Sequence, residues 1–91
     1  MFDQNAPLII TTESGSVYKL GQADSEGWRS INKERGKLKF DRCRVQGRAI
    51  QYIIGATIVG SDLEEGYSMA LEIPNYTKSW FTTKIDSIQN S

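Results

Sequence analysis

The sequence predicts an all-β protein: a small antiparallel β-barrel of the SH3-like or OB-like size class, or two small packed sheets, with six to seven short strands. Three observations predict it. Apolar and polar residues alternate with a period of two through most of the chain. No stretch repeats its apolar residues at helical spacing. Turn residues punctuate the alternating runs at hairpin-like intervals. The 91 residues, 38% hydrophobic and 24% charged, suffice for one modest core and leave no room for a second. Residues 1–91 are therefore read as a single domain, with flexible ends at 1–6 and 89–91.

Leu8-Ile9-Ile10-Thr11-Thr12 is β-branched and forms a strand. Glu13-Ser14-Gly15-Ser16 turns it, and Val17 to Leu20 returns as the second arm of the clearest hairpin in the chain. Gly21 to Gly27 is a polar loop, a strand follows at Trp28 to Lys33, and Arg35-Gly36 turns again. Lys37-Leu38-Lys39-Phe40 and Arg42-Cys43-Arg44-Val45 both alternate, but out of phase. A β-bulge near Asp41 would put both apolar pairs on one face; alternatively, Asp41 ends one strand and a second begins. Gln46-Gly47 is a further turn candidate. Ala49 to Val59 is apolar in both phases, which describes a strand covered on both faces or one that closes a barrel, bent at Gly55. Gly60 to Gly66 is an acidic loop. In Tyr67 to Ile73 the residues Tyr67, Met69, Leu71 and Ile73 face inward, Pro74-Asn75 breaks the ladder, and Trp80 to Ile85 is the last strand before a polar tail.

Composition removes several chemistries at once. The chain contains no histidine and one cysteine. A Ser–His–Asp or Cys–His nucleophile, a histidine-ligated metal and a four-thiolate site cannot be built from it, so no catalytic residue, metal ligand or cofactor is assigned. Cys43 is a reactive thiol if Arg42 and Arg44 lower its pKa, or a small core residue if strand alternation turns it inward with Val45; alternation favours the core. Asn75-Tyr76-Thr77 matches the glycosylation pattern, read as chance because no secretory segment is visible. One cysteine and no signal fit a reducing cytoplasm, and no apolar stretch is long enough for a membrane helix.

The net charge of zero conceals a division. Arg29 to Arg48 holds eight basic and two acidic residues, a net +6, whereas the rest of the chain is net −6 and Ala49 to Thr77 carries four acids and no base. Such a segment suits an anionic partner. It also suits protection of a strand edge, or internal cancellation against the acidic half. The candidate ligand-binding surface is Lys37, Lys39, Arg42 and Arg44, with Arg29, Arg35 and Trp28 nearby. Trp28 or Trp80 is the candidate platform for stacking on a base. On this reading Arg42→Glu with Arg44→Glu removes binding and leaves folding intact. The acidic loop fits no calcium pattern, and no glycine-rich phosphate motif occurs.

Ile9 to Leu20, Ile53-Ile54-Gly55 to Val59 and Thr82-Thr83-Lys84-Ile85-Asp86-Ser87-Ile88 resemble the opening hairpin, central stretch and closing strand of small, uncharacterised β-rich phage and prophage proteins. The resemblance implies a small barrel from a mobile element, some of which sequester a signalling nucleotide or block a host effector; it implies no site residue. The first expectation is thus a non-catalytic binding protein for an anionic small molecule or nucleotide, acting in the host cytoplasm if phage-encoded. Alternatives are a single-stranded nucleic-acid-binding barrel, which the pI near 6.2 disfavours, and an inhibitor or structural protein acting by contact with a host protein. A homo-oligomer is among the expected assemblies, an enzyme ranks last, and a membrane is not an expected partner.

Overall fold

A computed structural model describes residues 2–91, so the flexibility expected of residues 1–6 lies, for Met1, outside the described residues. The protein is all-β, with strands β1 (Leu8–Thr12), β2 (Val17–Leu20), β3 (Trp28–Lys33), β4 (Arg42–Tyr52), β5 (Gly55–Ile58), β6 (Ser68–Glu72) and β7 (Trp80–Asn90). Six of them, β1-β2-β3-β4-β6-β7, pair in that order. β7 returns to β1 and β3 meets β4, so the sheet closes into an antiparallel barrel. The seventh, β5, pairs with β4 alone and stands outside the ring.

Two long strands make this closure possible. β4 spends Arg42–Arg44 on β3, Arg44–Ala49 on β6 and Ala49–Tyr52 on β5. β7 pairs its first half with β6 and its second half with β1. The inward phase of each strand supplies the core: Leu8, Ile10, Leu20, Ile31, Cys43, Met69, Leu71 and Ile85 are all buried. β6 is the strand covered on both faces, since Ser68 and Ala70 are buried as well as Met69 and Leu71. Truncating one of these large aliphatic side chains costs about 2–5 kcal/mol.

Four readings of the sequence need correction. Lys37 to Phe40 is not a strand, and no bulge lies near Asp41; β4 begins at Arg42, as the alternative break at Asp41 requires. The alternation in Lys37 to Phe40 arises because Leu38 and Phe40 pack onto the core from the β3–β4 connector. Gln46-Gly47 is not a turn but a bulge within β4, where Val45 pairs with Leu71 and Gly47 with Ala70. Ala49 to Val59 is not one strand covered on both faces. It is the end of β4, a turn at Ile53-Ile54 and the short β5, and Ile50, Tyr52, Ile53, Ile54, Ile58 and Val59 are all exposed. Finally, Gln89 and Asn90 are not a tail but the last residues of β7, paired with Ile9 and Leu8.

The N-terminal stretch is tied to the barrel by polar contacts. Gln4 accepts from the Leu63 backbone N–H at 2.7 Å through Oε1, and Asn90 Nδ2 donates to the Asp3 carbonyl at 2.9 Å.

Gly47 is the position where only glycine fits. Its φ is 110°, and a Cβ there would sit 2.7 Å from Ser61 Cα, too close for any carbon pair. Gly36 also has positive φ, 83°, but faces open space. Gly47→Ala is expected to cost at least about 2 kcal/mol in urea unfolding, against about 1 kcal/mol for Gly36→Ala. Equal costs would show that the bulge is not sterically fixed.

Candidate functional site

The basic segment divides into cations that hold the barrel together and cations that face solvent. Arg29 belongs wholly to the first group and is not the surface residue that charge alone suggests. It shares the inward phase of β3 with Ile31, lies opposite Cys43 and is 4% exposed. Its Nη2 donates to the Gln4 carbonyl at 2.7 Å, while Nε and Nη1 have no protein partner. Burial lowers its pKa, an effect that Cys43 and Asp3 oppose.

Arg44 is bound as firmly. Its Nη2 contacts both carboxylate oxygens of Glu72 at 2.8 Å, and Nε meets Oε1 at 3.0 Å. Glu72 is the Cα partner of Arg44 on β6, so the pair spans the β4–β6 ladder. Nη1 also donates to the Glu26 carbonyl at 3.1 Å. The guanidinium rests 4.6 Å from the Trp28 ring, and that of Arg42 lies 5.7 Å from the same ring. Trp28, one of the two sequence candidates for base stacking, therefore already carries two arginines. Arg42 approaches Asp24 only at 3.9 Å, with both side chains more than half exposed. Arg48 pairs with Glu64 and lies 5.4 Å from the Tyr67 ring; its pKa is raised by the Glu64 hydrogen bond first.

The remaining cations have no carboxylate within ion-pairing distance among the described residues. Lys33 sits 5.9 Å from the Tyr18 ring. Arg35, Lys37 and Lys39 are exposed on the β3–β4 connector. Phe40 joins this connector to the start of β7: its ring meets Trp80 edge-on at 5.4 Å, with planes at 64°. Trp80 is 43% exposed and Tyr76 63%. Lys78, between them, is also exposed. The Phe40–Trp80 contact thus sets one exposed indole beside the end of the connector that carries Lys37 and Lys39, whereas Arg35 lies toward the β1–β2 turn, where the Glu34 N–H donates to the Val17 carbonyl. Of the seven candidate residues, Arg35, Lys37 and Lys39 are exposed on the connector; Trp28, Arg42 and Arg44 cluster on the β3–β4 ladder, and Arg29 is inside. Reading β3 for phase would have turned Arg29 inward, because it alternates with Ile31. The Phe40–Trp80 contact joins residues forty positions apart, and nothing local encodes it.

Cys43 faces the core, as alternation favours, and burial pushes its thiol up to about 12, an effect that Arg29 opposes. Among the described residues no group of three or more His, Cys, Asp or Glu could hold a metal ion, and no helix is long and apolar enough to cross a membrane. No protein family, curated protein or solved structure matches the chain.

Arg44→Glu would set two carboxylates against each other at Glu72, so the Arg42→Glu, Arg44→Glu pair tests folding as well as binding. Arg44→Gln should cost about 1–2 kcal/mol in urea unfolding, whereas Lys37→Gln and Lys39→Gln should stay within about 0.5 kcal/mol. Similar costs at all three positions would contradict the division between structural and free cations. For Cys43, the folded thiol keeps its proton to about 12, while an unfolded one ionises near the ordinary 9.0. Above that lower value the unfolded chain binds fewer protons, so stability falls as pH rises between these two values. The fall should be smaller in Cys43→Ala, measured by urea unfolding across that range; an unchanged slope would refute the assignment.

Proposed function

We propose that the protein is a non-catalytic binding module for an anionic ligand bearing an aromatic ring, the chemistry of a nucleotide, and that it acts by sequestration in a cytoplasm. The Phe40–Trp80 contact carries this reading, because it brings an exposed indole to the connector that bears Lys37 and Lys39. Unpaired cations supply the phosphate contacts, and an aromatic face supplies a stacking platform. A chain without histidine lacks the usual general base for turning such a ligand over. The resemblance of the opening hairpin to small phage proteins supports a role in withholding a signalling nucleotide from a host. A single-stranded nucleic acid presents the same chemistry, and the length dependence of binding separates the two sources.

Isothermal titration against mononucleotides, cyclic nucleotides and short oligothymidylates tests the proposal. Binding is expected to weaken about 5- to 100-fold in Trp80→Ala, the cost of losing one stacked base. It should weaken at least about 10-fold in Lys37→Glu with Lys39→Glu, and fall with added salt. Affinity that grows with oligonucleotide length would identify the polymer as the ligand. No heat with any of these ligands would overturn the reading.

A further inference from the structure

The arm formed by the end of β4 and by β5 has no task in the barrel, and its composition is unusual for a solvated hairpin. Ile53 and Ile54 at its tip are 105% and 97% exposed, and Tyr52 is 59% exposed. Residues 49–61 carry no charge at all. The outer edge of β5 has no partner among the described residues, and none of the usual devices that protect an edge, such as lysine or proline, is present on it. We propose that this arm joins two copies of the chain, by antiparallel pairing of β5 with the β5 of a second copy.

The register follows from the ladder. Val59 N–H donates to the Arg48 carbonyl at 2.9 Å, and β5 pairs residue by residue with β4. Hydrogen bonding alternates along an antiparallel pair. Thr57 and Gly55 therefore bond to β4, and the N–H and C=O groups of Ala56 and Ile58 point to the free edge. A two-fold axis at Thr57 pairs Ala56 of one copy with Ile58 of the other, twice over, and satisfies all of those groups. The same register sets Gly55 opposite Val59. Tyr52, which faces Gly55 across β4–β5, then covers the glycine and reaches Val59 of the other copy.

Charge and symmetry favour a second copy over other occupants. Two uncharged arms meet without repulsion, and a two-fold contact needs only one self-complementary patch. An anionic membrane is disfavoured, because the charges that follow the arm in sequence are Asp62, Glu64 and Glu65, and Ala49 to Thr77 holds no base. Ile58 lies on the pairing strand itself and Val59 directly follows it, so pairing buries apolar side chains as well as edge backbone. The inference is independent of the proposed ligand: Lys37→Glu with Lys39→Glu should leave the association unchanged.

Light scattering across a concentration series, on the full chain, tests it. A dimer mass is expected at tens of micromolar, dissociating on dilution. Thr57→Cys should form a covalent dimer under mild oxidation, because facing residues of a non-hydrogen-bonded pair lie within disulfide range, while buried Cys43 stays out of reach. Ala56→Pro should give a monomer, because it removes an edge N–H and leaves the β4 ladder intact. Should that variant not fold, Thr57→Lys decides, since Thr57 is exposed and the substitution sets two like charges opposite each other at the two-fold axis. A wild-type monomer, a dimer that survives these substitutions, or a Thr57→Cys dimer that does not cross-link would overturn the proposal. So would a monomer that instead binds neutral phosphatidylcholine vesicles.

Discussion

Closure of the barrel rests on a short seam. β3 and β4 share only three residue pairs, Trp28 with Arg44, Arg29 with Cys43 and Ser30 with Arg42. Without them the strands form an open sheet with a free edge at each end. Both faces of the seam are reinforced by side chains that the ladder itself positions. On the inner face, Arg29 reaches the Gln4 carbonyl, and Gln4 in turn holds the loop at Leu63. On the outer face, Trp28 carries Arg42 and Arg44, and Arg44 crosses to Glu72 on β6. A neutral net charge therefore reflects partial cancellation within the molecule: among the described residues Arg44–Glu72, Arg48–Glu64 and the longer, exposed Arg42–Asp24 pair connect the basic segment to the acidic rest of the chain.

The placement of arginine and lysine follows their chemistry. The guanidinium is planar, weakly hydrated and multidentate, so it suits the buried position of Arg29 and the bidentate pair at Glu72. Lysine is a strongly hydrated point charge on a flexible stem, and Lys37 and Lys39 remain on an exposed connector. The free positive charge of the basic segment is therefore smaller than its +6 suggests, and much of it lies on the β3–β4 connector rather than along β4. Burial of Arg29 is costly for stability, since two of its nitrogens have no protein partner.

Much of the fold was legible in the sequence because half-buried strands write their two faces as alternation. β1, β2 and β3 coincide with the runs read from residues alone, and Met69 and Leu71 face inward as the alternation of β6 requires. Legibility ended where alternation had another cause. Leu38 and Phe40 imitate a strand because both turn toward the core from a connector. The apolar run from Ala49 to Val59 imitates a buried strand, although hydrophobicity alone does not say whether anything covers it. Gly47 looks like a turn, since positive φ serves a bulge as well as a reversal. For the candidate site, the excess of basic residues was visible in the sequence, but their division between structure and surface was not. That division depends on cross-strand partners such as Glu72, far away in the chain.

The most direct test of the central claim, that the arginines of the seam are structural and the connector cations free, is solvent exchange of the arginine Nε–H groups by NMR. Arg29 and Arg44 should exchange slowly, the first through burial and the second through its bond to Glu72. Arg35, exposed on the connector, should exchange at the rate of a free guanidinium. Exchange at Arg44 as fast as at Arg35 would contradict the account.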